Sequence, residues 1–344
     1  MSTIPVGAAY KGATAELLER ARIDAGDAYK PSVFNPATLV SKGPLRIAKD
    51  RVDAKHSMDG KPGFDIYYEL HGKGPKRLAF IMGLNNSCFG WLDQVEEFGS
   101  DPEFSVLVLD NRGYGNTDAP KTRYRTSDFA LDVLEVFEHI GWTQERSINL
   151  IGVSMGGMIA LELARKEPKL FCTLLLLSTT AGEKHNLPPY LGLKAISSGI
   201  SEQIFGYGTP EGRVHRMIDV LFPSEWLDAK SARDPTRTNR DVTRPLFMWR
   251  FGFARRPTGH GALSQISAAL THKVPPEALA RINADIPKIR IMTGDWDQLV
   301  HTSHSRYMRD QMPNAEYVEW AGGGHALHAQ FPERFNAMLR EWAE

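Results

Sequence analysis

A chain of 344 residues, 42% of them apolar, suits a large α/β domain with an insertion and can bury a real core. Lysine plus arginine equals aspartate plus glutamate at 41 each, so no net charge draws the chain to nucleic acid or to a membrane surface. No apolar run approaches the roughly 20 residues of a membrane span. Met1 to Tyr10 lacks the charged start and apolar stretch of a secretory signal, and Cys88 and Cys172 make neither a metal spacing nor a disulfide framework; together these point to a cytoplasmic protein.

Residues 1–44 read as an N-terminal extension, with helical spacing over Ala13–Ile23 and then Pro31, Pro36 and Pro44 as breakers. Leu45–His56 and Phe64–Leu70 read as strands joined by a turn at Asp59-Gly60, and Arg77–Met82 as a buried strand ending at Gly83. Alternating units follow. Trp91–Phe98 is helical, Phe104–Leu109 an apolar strand, and Thr126–Ile140 an amphipathic helix with Phe129, Val133, Phe137 and Ile140 on one stripe. Ser147–Val153 is a strand, Met155–Lys166 a helix stopped by Pro168, and Leu174–Leu177 a further buried strand. This order predicts a mostly parallel sheet covered on both faces. Between Gly182 and Asp285 no strand pattern is visible; it returns at Ile289–Met292 and Glu316–Trp320, before a last helix over Glu333–Trp342. The expected division is a core of 45–181 and 286–344 with a helical cap, 182–285, inserted into it.

Gly152-Val153-Ser154-Met155-Gly156 fits G-x-S-x-G, between a strand and a helix. A serine hydroxyl becomes a nucleophile when a tight strand-to-helix turn exposes it and a base takes its proton. The turn strains the serine backbone and crowds the positions two away, hence glycine at 152 and 156. Without the flanking strand and helix the pattern is weak, and the competing reading is a glycine-rich turn with an incidental serine. The base is expected late in the chain: His325, after Gly322-Gly323-Gly324, with His328 as a competitor one turn on. The acid is expected after Ile289–Met292, where Asp297 is preferred and Asp295 competes as a turn residue. Two backbone N–H groups would stabilise the oxyanion, Met155 at the head of its helix and Leu84 in the polar loop after Met82-Gly83.

Three further stretches resemble the α/β-hydrolase superfamily. Asp110-Asn111-Arg112-Gly113-Tyr114-Gly115-Asn116-Thr117 is similar to its D-x-R-G-x-G-x-S turn, with Thr117 in place of serine. Gly294-Asp295-Trp296-Asp297 resembles G-x-x-D, which favours Asp297, and Gly324-His325 followed by Pro332-Glu333-Arg334-Phe335 resembles the G-H…P-x-x-F ending. The resemblance implies an α/β-hydrolase fold: a mostly parallel eight-stranded sheet flanked by helices, with an inserted helical cap. Met82-Gly83 stands where many relatives have His-Gly, which argues against the lipases and esterases with an H-G-G-G run. Ser154 argues against relatives whose nucleophile is aspartate. Ser154-Met155-Gly156-Gly157 is shared with carbon–carbon bond hydrolases, but Leu84–Phe89 lacks their glycine-rich loop.

Lys230–Arg256 carries eight basic residues and two acids, with Phe247, Trp249, Phe251 and Phe253 interleaved. It reads either as a lid with a solvated basic face or as a pocket wall presenting an arginine to an anionic group. Trp226 and Trp249 are candidates to line the substrate pocket, with packing inside the lid as the alternative. Gly261–His272 reads as a helix leading back to the sheet. The expected function is hydrolysis of a small to medium carboxylic ester with an apolar acyl or alcohol part, through an acyl-enzyme on Ser154, with no metal or organic cofactor. Lactonase, thioesterase, carbon–carbon hydrolase and acyltransferase chemistry uses the same triad, and a small-molecule receptor that has lost turnover is the competing class.

Overall fold

The computed structural model describes residues 32–54, 59–183, 188–194, 197, 209–255 and 257–343. Its main sheet has eight strands in the order β1-β4-β6-β5-β7-β8-β9-β10. These are Leu39–Lys42 (β1), Tyr68–His71 (β4), Lys76–Ile81 (β5), Phe104–Leu109 (β6), Ile148–Val153 (β7), Phe171–Leu177 (β8), Lys288–Gly294 (β9) and Glu316–Trp320 (β10). Leu45–Ile47 (β2) and Phe64–Ile66 (β3) form a separate antiparallel pair. From β6 to β10 every neighbouring pair is parallel; β4 and β1 are added antiparallel at one edge.

The sheet is central because β6, β7 and β8 are buried along their whole length. Alternate side chains feed opposite faces. Ala79, Ile81, Leu174 and Leu176 join one apolar cluster with helices Thr126–His139 (α2) and Met155–Lys166 (α3). Leu78, Phe80, Leu175 and Leu177 join another with Leu92–Gly99 (α1) and Pro332–Trp342 (α11).

Several expected boundaries shift, and the strand expected over Phe64–Leu70 is divided between β3 and β4. Residues 32–44, read as extension, contain β1, and Val33 and Phe34 are buried beside it. Ser32 Oγ donates to Glu69 at 3.0 Å, so this segment is stitched to the sheet by polar and backbone bonds that leave no apolar pattern. The strand expected over Leu45–His56 is only β2, because Ala48 turns the chain at φ 57°. Residues 1–31, including Ala13–Ile23, lie outside the described residues. Between β8 and β9 the described elements are all helical: Pro210–Leu221 (α4), Ser224–Asp228 (α5), Asn239–Phe253 (α6), Gly259–Leu270 (α7) and Pro276–Asp285 (α8). Leu279 and Ile282 of α8 pack in the same cluster as Ile159 and Leu163 of α3, so α8 lies in the core layer although it was read as part of the inserted segment. Helix Thr302–Gln311 (α9) follows β9, and the short Leu327–Gln330 (α10) precedes α11.

The turn after β6 explains its own sequence. Asp110 accepts from Ser87 Oγ (2.8 Å) and from the N–H groups of Cys88 (2.7 Å) and Asn116 (2.7 Å). Thr117 Oγ1 donates to the Asp110 carbonyl (2.6 Å) and accepts from Tyr67 N–H (2.8 Å), a hydroxyl's work that threonine does as serine would. Arg112, fully buried, makes two 2.6 Å bonds to Asp132 and an ion pair with Asp53 at 2.9 Å, and lies over Phe64.

Candidate active site

Ser154 caps β7 with φ 56° and ψ −123°, a left-handed conformation that costs a non-glycine residue of order 1–3 kcal/mol. The surroundings hold it there. Its N–H bonds the Leu177 carbonyl of β8 at 2.9 Å, and its carbonyl accepts from Gly157 N–H (2.9 Å) and Thr179 Oγ1 (2.7 Å). A Cβ at Gly152 would run into the Gly156 backbone, and one at Gly156 into the Ile81 carbonyl, so the two glycines admit α3 against β7 and β5. Gly83 lies directly against Ser154: a Cβ there would sit 3.1 Å from Ser154 Cβ.

Asp297 and His325 meet at the same edge of the sheet, after β9 and β10. His325 Nδ1–H donates to both Asp297 oxygens, at 2.9 and 2.8 Å. The carboxylate is 2% exposed and also accepts from the N–H groups of Leu299 (2.8 Å) and Val300 (2.9 Å). Those bonds fix its rotamer and leave it an acceptor, as orienting an imidazole requires. Asp295 is exposed, its N–H tied to the Trp320 carbonyl at 3.2 Å. His328 faces elsewhere: its ring lies tilted against Trp91, centroids 4.3 Å apart, and burial, with the charges of Arg250 and His325, pushes its pKa down to about 3. Ser154 stands at the end of β7, two strands from β9, and among the described residues no hydrogen bond joins it to His325. Asp297→Asn is expected to cost about 10⁴-fold in kcat through the wrong imidazole tautomer, and Asp295→Asn little. Steady-state kinetics showing the reverse order would exchange the two.

The histidine loop is fastened to the inserted segment. His325 N–H donates to the Leu221 carbonyl at the end of α4 (2.9 Å), and Gly324 N–H to Gln330 Oε1 (2.7 Å). Ala326, beside the histidine, and Leu299, near Asp297, join the apolar cluster of α4 and α6.

Met155 opens α3, where no preceding helical turn takes up its N–H. Leu84 precedes Asn85, which has φ 47°, and Asn85 N–H donates to Gln265 Oε1 at 2.9 Å. Gln265, fully buried on α7, also donates from Nε2 to the Arg112 carbonyl at 2.8 Å. One side chain thus spans from the loop after β5 to the turn after β6. Sequence reading placed Gln265 only on a helix; a contact across 180 residues leaves no local signal. With Leu84 N–H as the expected oxyanion donor, Gln265→Ala, which frees the loop, is expected to lower kcat by about 10²-fold with little change in KM, because a donor displaced by an ångström stops serving the transition state. A KM effect alone would mean the glutamine shapes binding and not the donor.

Trp226 is half-buried against Phe222 at 5.0 Å and Phe331 at 6.4 Å. Trp249 is 4% exposed and packs in the cluster that holds Met82 and Phe89. Two surface hollows, of about 290 Å³ at α8 and about 430 Å³ beside Tyr124 and His260, are lined by none of these residues. Among the described residues no group of three or more metal-ligating side chains occurs, and no helix is long and apolar enough to cross a membrane.

Residues 70–338 match the alpha/beta hydrolase family. The chain is 27% identical over 278 residues to a protein provisionally named carbamate hydrolase RutD from Stutzerimonas stutzeri, covering 80% of this chain and 95% of that one. Its fold is similar to that of a thermophilic esterase from Thermogutta terrifontis (TM-score 0.66, 21% identity, 88% of this chain and 98% of that chain). It is also similar to that of the enol-lactonase from Burkholderia xenovorans LB400 (TM-score 0.64, 17% identity, 81% and 96%).

Proposed function

Because the chain belongs to the alpha/beta hydrolase family, we propose that it is a serine hydrolase cleaving a small to medium carboxylic ester with an apolar acyl or alcohol part. The observation that carries this reading is the strained Ser154 at the end of β7, at the sheet edge where the bonded pair Asp297–His325 also sits. In the proposed course Ser154 Oγ attacks the ester carbonyl while His325 Nε2 takes its proton. The N–H groups of Met155 and Leu84 hold the oxyanion. His325 then protonates the departing alkoxide, leaving an acyl-enzyme, and activates the water that releases the acid. Asp297 keeps the proton on Nδ1 and stabilises the imidazolium. No metal or organic cofactor enters this course.

Helices α4 to α7 are proposed as the lid that selects the substrate. Trp226, half-buried, suits a wall of the substrate pocket; the burial of Trp249 suits packing beneath the lid. The test is labelling with a fluorophosphonate probe followed by mapping of the adduct. Label on Ser154 in the folded protein is expected; its absence would sink the reading. Hydrolysis screened across ester chain length, with lactones and thioesters alongside, then ranks the carbonyl classes.

A further inference from the structure

Arg250, on α6, is 6% exposed. Its guanidinium lies over the Phe247 ring at 4.1 Å, and Nη1 reaches the carbonyls of Phe89 and Gly90 only at 3.5 and 3.4 Å, the outer limit of a hydrogen bond. Among the described residues no carboxylate is bonded to it. Asp93, whose field reaches it, is taken by Arg233 at 2.6 Å, so two cations share one anion. Burial, with the repulsion from Arg233, pulls the Arg250 pKa down to about 10. Buried guanidinium groups are ordinarily matched by carboxylates, because carbonyls repay little of the lost hydration. Arg250 is an exception, and packing alone would be served as well by an apolar side chain.

Its location gives the exception a use. Phe89 and Gly90 lie in the loop that begins with Leu84, and the charge of Arg250 is felt by His328, three residues past His325. Among the described residues two other polar atoms there have no hydrogen-bond partner: His328 Nδ1, and Nε1 of Trp91, whose ring lies tilted against His328. We propose that Arg250 is a subsite for a carboxylate carried by the substrate, so that the ester cleaved at Ser154 ends, on its other side, in an acid group. A lone guanidinium backed by an aromatic ring suits the flat, singly charged carboxylate better than a phosphate dianion, which calls for more positive charge. The proposal rests on the serine-hydrolase reading and narrows its substrate class to half-esters of dicarboxylic acids and their like.

The experiment compares monoethyl esters of succinate, glutarate and adipate with their neutral amide counterparts by pH-stat, in the wild type and in Arg250→Gln and Arg250→Lys. At one chain length the wild type is expected to favour the anionic ester. The ratio of kcat/KM, anionic over neutral, falls by about 10- to 100-fold in Arg250→Gln, the worth of one charge-assisted bond, mainly through KM. Arg250→Lys recovers part of it. Free glutarate also slows fluorophosphonate labelling of wild-type Ser154, a readout that needs no variant to fold. A wild type with no anionic preference at any length, or equal losses on both esters, would overturn the subsite while Ser154 still labels. An unlabelled Ser154 would overturn the subsite and the underlying reading together. The melting temperature of Arg250→Gln is expected at or above that of wild type; a clear fall would assign the arginine to structure.

Discussion

Ser154→Ala and His325→Ala are each expected to lower kcat on p-nitrophenyl esters by about 10⁴- to 10⁶-fold, and the double variant by no more than either alone. In the proposed course the two groups act in one step: the hydroxyl attacks only as the imidazole removes its proton. Whichever is removed, the other has nothing to do. Residual turnover would come from the oxyanion donors and from binding, neither of which either substitution touches. Ser154→Ala keeps a Cβ at φ 56° and removes no bond of the backbone, so the fold should melt where the wild type does. The measurement is kcat for both single variants and the double, with fluorophosphonate labelling alongside. Additive losses, or a single variant that keeps most of its rate, would show that another group supplies nucleophile or base.

Arg112→Ala should be the most damaging single substitution for stability among those considered, at about 3–5 kcal/mol. It strands Asp132, which is 1% exposed, with only Arg51 at 2.9 Å, and removes a cation lying over Phe64, Tyr124 and Phe129. The surface pair Arg340–Glu97, 2.8 Å apart and well solvated, offers the contrast: Arg340→Ala should cost under about 1 kcal/mol. Equilibrium denaturation of the two variants decides the matter. Equal losses would mean that the buried network carries no more weight than a surface ion pair.

The parts of the fold legible in the sequence are those whose burial is uniform. β6 reads as an apolar strand and β7, within Ser147–Val153, as a strand, each with one polar residue, Ser105 and Asn149, in a run covered on both faces. β8 was read from Leu174, yet it begins at Phe171; Thr173 broke the apolar pattern, and its hydroxyl is satisfied inside the sheet by Asn149 at 2.9 Å. β1 was invisible because its order comes from pairing with β4, itself a buried strand carrying Glu69 and His71. Among the proposed site residues, Ser154, His325 and Asp297 were legible because strain, glycines and strand ends constrain the local sequence. Gln265 gains its meaning only from what lies opposite it, and nothing near it in the chain announces it; for Arg250 the aromatic-flanked basic stretch Lys230–Arg256 raises an arginine facing an anion as one of two readings but does not single out which arginine.

The strand order has a consequence for how the molecule comes together. β7 and β8 follow one another closely, and the loop bearing Leu84 already lies beside them, so the half of the site that holds the proposed nucleophile and oxyanion donors forms by short crossovers. Asp297 and His325 follow β9 and β10, which reach the sheet only at the β8–β9 edge, after the whole intervening segment has been looped out. Closing so long a loop is the entropically slow event in a topology of this kind. The β8–β9 edge is therefore the seam of the sheet. A chain arrested there has the Ser154 turn without the proposed base, and on the serine-hydrolase reading regain of hydrolytic activity during refolding reports the closing of that seam where overall helix content does not.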